Sequence, residues 1–227
     1  MDEPFPPATP DPQRLLLARM LLFSDAVFAI VLTLLALDLR MPAGFDDAHL
    51  YEGLVAMKGE LIAFAVSFAI VAVFWIAHLT VLRSLARFDW GVAIANLVFL
   101  FTVTVTPFTT TLVGDDGTMG NGWRLYCVSI IAISLAQVAL LLVSHRDETR
   151  LLLDAHHGRL GVRVLRACAP GLAFAVGLVL SLVGQRFLAS ICWVLTPVPI
   201  LAGRWLEPRR LPTELLSAGA AEPGATA

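Results

Sequence analysis

Charged side chains are scarce in this sequence. Asp, Glu, Lys and Arg supply 15% of its 227 residues, and 58% of the residues are hydrophobic, against about 25% and 45–50% in soluble domains. Too little polar surface remains to meet water on all sides, which excludes an ordinary soluble domain. The balance fits a multi-span membrane protein whose surface mostly faces lipid. A net charge of −2 with no basic, aromatic-interleaved patch gives no sign of nucleic acid as a partner. The three cysteines, Cys127, Cys168 and Cys192, lack metal-ligand spacing and sit in or beside apolar segments, so they read as packing. No HExxH, no GxSxG and no facing pair of intramembrane aspartates is present, and Ser24 with His78 lacks an oxyanion-hole signal. The sequence therefore does not read as an enzyme. His156-His157 has no third ligand and makes a poor metal site.

What is abundant is long apolar runs. Six of them reach bilayer-spanning length, over residues 15–39, 60–82, 90–113, 123–143, 164–183 and 187–206. The fold class expected is an all-α integral membrane protein with a six-helix domain over residues 15–206. A short tail (1–14) precedes it and a small-residue tail (207–227) without core-forming content follows. The Pro-rich, acidic start does not resemble a signal peptide. Gly184-Gln185-Arg186 leaves room only for a tight hairpin between the last two spans. Pro107, Pro170, Pro197 and Pro199 fall inside spans, where kinks are tolerated if neighbouring groups satisfy the freed carbonyls. With the N-terminus inside, inner segments hold twelve of the sixteen basic residues, and outer segments hold Arg40, Lys58, Arg124 and Arg186. That bias predicts both termini in the cytoplasm of a cell-membrane protein. Asp46, Asp47, Asp115 and Asp116 on the outer loops are solvated or, in a functional reading, concentrate cations.

Inside the first span, RMLLFSDAVFAIVLTLLALDLRMP, an aspartate lies where charge costs roughly 2.5–3.5 kcal/mol. At about 100° per residue, Leu34 and Leu37 fall within about 40° of Ile30, and Thr33 edges that stripe. Ser24 and Asp25 fall on the opposite side. Counting from flanking charges at 1.5 Å per residue, Asp25, His78 and Asn96 sit at about 9, 7 and 10 Å from the inner surface on three successive helices. They are expected to form a hydrogen-bonded cluster that offsets the burial of Asp25. The cluster is either structural glue or a proton relay, since His and Asp both titrate.

Arg19-Met-Leu-Leu-Phe23-Ser24-Asp25 fits an R-x-x-x-F-S-D signature. It is followed by AVFAIVLTLLALDLRMP, by FW-x-x-H (Phe74, Trp75, His78) and by NLVFLF ending in PF (Asn96 to Phe101, Pro107, Phe108). In these motifs the chain resembles the transmembrane protein 175 potassium-channel family. The specific motifs lie in the first three helices, and the last three spans match only in number and apolarity. The single six-span unit resembles the prokaryotic form. The resemblance implies a homotetramer whose first helices line a central pore for permeant K+, with no cofactor. It also implies an apolar constriction at Ile30, further apolar layers at Leu34 and Leu37, and a hydroxyl at Thr33. By the same resemblance, Arg19, Ser24 and Asp25 bond with His78 and Asn96 of the next two helices. Ala26 departs from the glycine common after the motif aspartate, so packing there is expected to differ slightly.

No TVGYG-like filter loop is present, because Thr102-Val103-Thr104-Val105-Thr106 lies within a span and lacks the Gly and Tyr. The mechanism that the resemblance implies is a ring of four Ile30 side chains that closes by dewetting and opens when the first helix moves outward or rotates. A proton-permeable or ion-coupled transporter using Asp25 and His78 is the first alternative, although the fourth span shows no second FSD-like segment of an inverted repeat. A non-conducting membrane scaffold is the second.

Overall fold

A computed structural model describes residues 11–37, 39–40, 49–115, 120–146, 160–185 and 188. Seven helices are described: α1 (Pro12–Leu37), α2 (Leu50–Ala56), α3 (Lys58–Arg83), α4 (Trp90–Thr104), α5 (Thr106–Asp115), α6 (Asn121–Ser144) and α7 (Leu160–Leu182). Taking α4 and α5 as one crossing, five segments are long and apolar enough to span a bilayer. The 26 residues of α1 or α3 rise about 39 Å, enough for a hydrocarbon core of about 30 Å. Apart from residue 188, the sixth expected span (187–206) lies outside the described residues with its Cys192, Pro197 and Pro199, as do residues 1–10, the tail 207–227, Asp46, Asp47, Asp116 and His156-His157.

Local chemistry sets the helix ends. Asp11 precedes Pro12 and accepts the Gln13 N–H through Oδ1 at 3.0 Å, so α1 starts three residues earlier than its apolar run. The pairing of a side-chain cap with proline at the first helical position explains that start. Asp89 caps α4 in the same way, accepting from the Val92 N–H at 2.9 Å. At the far end of α7, Gly184 has φ +81, and Gln185 and Gly184 donate to the carbonyls of Leu180 and Ser181 at 2.8 and 3.3 Å. This is a Schellman stop, and the left-handed position favours glycine. It supplies the sharp exit expected before Arg186.

The third span is not one helix. Pro107 offers no N–H to the Val103 carbonyl, and the helix breaks at Val105. The short α2 lies in a stretch expected to be loop. Seven residues are too few for their periodicity to stand out.

The bundle is organised around α6, which packs against α4, α5 and α7, while α1 packs against α3, α4 and α5. Gly171 brings α7 close to α6: a Cβ there would lie 2.6 Å from the Ser134 Cβ. Trp123, Tyr126 and Phe174 pack their rings across the same contact, with centroids 5.7–6.1 Å apart. On the other side Phe28 of α1 meets His78 of α3 and Phe99 of α4, and the His78 and Phe99 rings stack 5.0 Å apart.

Candidate pore-lining face and its polar anchor

Helix α1 presents two faces with different chemistry. Leu17, Met20, Ser24, Phe28, Val31 and Leu35 are buried, at spacings of three and four that define one helical face. Opposite them Ile30, Leu34 and Leu37 are 58%, 41% and 67% exposed in the protomer, with Thr33 exposed beside them. Arg19, Phe23 and Ala26 continue the exposed stripe toward the N-terminus. Thr33 donates its hydroxyl proton to the Ile30 carbonyl at 2.8 Å. The Oγ1 lone pairs are thereby left outward-facing, as acceptors rather than donors.

Behind that stripe, the inward face of α1 is tied to two other helices. Ser24 donates to the Met20 carbonyl at 2.9 Å and accepts from Asn96 Nδ2 at 3.0 Å. The Asn96 Oδ1 in turn lies 2.6 Å from His78 Nε2. The contact requires a proton on His78 Nε2, because the amide oxygen can only accept. Ser24, His78 and Asn96 are each about 1% exposed. The chain Ser24–Asn96–His78 thus joins α1, α4 and α3 in a dry setting.

Asp25 goes elsewhere. Its Oδ1 accepts the Trp75 indole N–H at 2.8 Å, in a half-buried position. The expected trio of Asp25, His78 and Asn96 is therefore corrected in one member: Ser24 holds the place assigned to Asp25. Consecutive helical residues point about 100° apart, so Ser24 reaches toward α4 while Asp25 reaches α3. Trp75 and His78 lie one turn apart on α3, so a single helix face presents both partners.

Arg19 is exposed, and no hydrogen bond joins it to this network among the described residues; Phe23 is exposed on the same stripe. Phe28 and Phe99 lie within the AVFAIVLTLLALDLRMP and NLVFLF motifs without an assigned role, and here they wall His78. They follow Ser24 and Asn96 by four and three residues on their helices. No group of three or more His, Cys, Asp or Glu side chains able to hold a metal occurs among the described residues.

A second polar region surrounds the start of α5. Ser67, Thr109, Thr110, Tyr126 and Ser129 are buried and linked through their hydroxyls across α3, α5 and α6.

Comparison with known proteins agrees with this architecture. The family model described as endosomal/lysosomal potassium channel TMEM175 matches residues 19–107, from the motif arginine to the proline at the helix break. A potassium channel of Streptomyces collinus is 30% identical over 188 residues, which cover 81% of this chain and 86% of that protein. The human endosomal/lysosomal proton channel TMEM175 is 26% identical over 85% of this chain, which spans 40% of the human protein. Among solved structures, a lysosomal potassium-selective channel TMEM175 homolog from Chamaesiphon minutus superposes with a TM-score of 0.68 at 22% identity, covering 82% of this chain and 96% of that one.

Proposed function

The chain belongs to the TMEM175 potassium-channel family, whose members are membrane ion channels and not enzymes, and from that premise we propose that it forms a potassium-permeable path along the Ile30 face of α1. The observation that carries the reading is the division of labour on that helix. One face, Ile30, Thr33, Leu34 and Leu37, is left uncovered by the protomer. The opposite face is anchored by Ser24 and Asp25 to Asn96 and Trp75.

Four copies arranged around an axis bring four such faces together, and Ile30 forms the apolar constriction. A narrow apolar ring expels water and blocks ions until the helices separate slightly. A cation crossing it sheds part of its hydration shell. Potassium surrenders water more readily than sodium, so a modest potassium preference needs no carbonyl cage. The outward lone pairs of Thr33 replace part of the lost hydration one turn from the ring. Its assignment to the cell membrane with cytoplasmic termini follows the arginine distribution.

The name proton channel carried by vertebrate relatives favours one second reading, in which protons are the permeant ion. One experiment separates the two. Purified protein in planar bilayers, with potassium on one side and sodium on the other, is expected to reverse toward the potassium potential. Ile30→Asn is expected to weaken that preference. Reversal that follows an imposed pH gradient instead supports proton permeation. Absence of current from a folded oligomer leaves a membrane scaffold.

A further inference from the structure

The hydroxyls around α5 form a connected chain. Tyr126 Oη lies 2.9 Å from Ser67 Oγ, and Ser67 Oγ lies 3.0 Å from Thr110 Oγ1. Thr110 Oγ1 lies 2.8 Å from the Thr106 carbonyl. Each hydroxyl has one proton to give. Thr110 gives its proton either to Ser67 or to the Thr106 carbonyl, and when Ser67 receives it the chain runs from Thr110 toward Tyr126. A second link, Thr109 Oγ1 to Ser129 Oγ at 3.1 Å, ties the neighbouring residue of α5 to α6. All five hydroxyl-bearing residues are at most 8% exposed.

These bonds occur where the third span is mechanically weakest. The break at Val105 leaves α5 as a ten-residue helix. Its orientation is then set by what grips it from the side. Ser67 of α3 and Tyr126 and Ser129 of α6 are those grips.

Helix α5 also packs on α1. The contacts of Ser24 with Asn96 and of Phe28 with Phe99 fix the level of α1 against α4. Carried upward in the same register, they bring Thr106 level with Leu34 and Leu35. The gripped half-helix therefore stands behind the part of α1 that follows Ile30.

We infer that the Tyr126–Ser67–Thr110 hydroxyl chain is a latch that holds the broken half-helix α5 in place and so positions the Leu34–Leu37 end of α1. The effect on ion flow rests on the channel reading given above, whereas the positioning itself does not. Weakening the latch lets α5 pivot about Val105 and frees the end of α1 to move relative to the Ile30 ring.

The test uses the full chain in lipid nanodiscs, comparing Thr110→Val, Tyr126→Phe and Thr110→Ser by backbone hydrogen exchange and, in parallel, by potassium flux from vesicles. Thr110→Val and Tyr126→Phe are expected to speed exchange about threefold over residues 106–113 and 33–37, the shift of losing one average interhelical bond in a membrane protein. Exchange in α7 should stay unchanged, Thr110→Ser should restore the wild-type pattern, and the rate of potassium flux should change in Thr110→Val and Tyr126→Phe. Unchanged exchange in both segments overturns the latch. An increase of equal size in every helix overturns it too, because that is global loosening. Faster exchange in α5 alone, with residues 33–37 unaffected, overturns the coupling to α1. If wild-type protein carries no flux, the channel reading fails and the exchange pattern still decides the latch.

Discussion

Replacing Asn96 with Ala removes the centre of the anchor on α1, and the structure allows its cost to be worked out. Two side-chain bonds disappear, to His78 at 2.6 Å and to Ser24 at 3.0 Å. The losses are unequal. Ser24 keeps its proton on the Met20 carbonyl at 2.9 Å, and a hydroxyl that still donates suffers little from a missing donor partner. His78 loses the hydrogen bond at its Nε2 in a residue about 1% exposed. An orphaned buried polar group costs about 1–3 kcal/mol. Loss of the Ser24 bond adds about 0.6 kcal/mol, the average interhelical value in a membrane protein. The expected destabilisation is about 1.6–3.6 kcal/mol. Reversible unfolding in mixed micelles, followed by near-UV circular dichroism, gives the difference directly. Ser24→Ala provides the comparison and should cost under about 1 kcal/mol. Asn96→Ala costing no more than Ser24→Ala would refute the claim that His78 depends on Asn96.

Two other substitutions probe separate parts of the account. Asp25→Asn preserves the acceptor that meets the Trp75 indole N–H, so stability should change by less than about 1 kcal/mol and potassium flux should persist. Loss of a pH-driven current in that variant alone would instead point to an Asp25-dependent proton path. Gly171→Ala places a methyl 2.6 Å from the Ser134 Cβ. Helices α6 and α7 must then separate, at a cost of about 1–3 kcal/mol by overpacking. Thermal unfolding of the two proteins side by side measures it.

The sequence exposed the parts of this fold that follow from short-range periodicity. The two faces of α1 could be read from the spacing of Ile30, Leu34 and Leu37 against Ser24, because a helix repeats every 3.6 residues whatever surrounds it. The depth count brought His78 and Asn96 to one level and assigned Asp25 to them, where the structure places Ser24. The choice between the two depends on how α1 is rotated between α3 and α4, a tertiary quantity with no local signature. The Trp75 partner of Asp25 was hidden for the same reason, since fifty residues separate them in the chain. Pro107 allowed for a kink, yet the independence of α5 arises from side chains on α3 and α6. Their serines, threonines and tyrosine carry no motif. The start of α1 was misplaced because the apolar run begins after the cap does.

The central claim is that the Ile30 face of α1 borders the ion path while the Val31 face does not. Val31 is 1% exposed and Ile30 58% exposed, one residue apart. The most direct measurement is block of current by a small cationic thiol reagent applied to Ile30→Cys and Val31→Cys, each in a background with Cys127, Cys168 and Cys192 replaced by Ser. The account predicts irreversible block of Ile30→Cys and no block of Val31→Cys. Block of Val31→Cys with Ile30→Cys insensitive would contradict it.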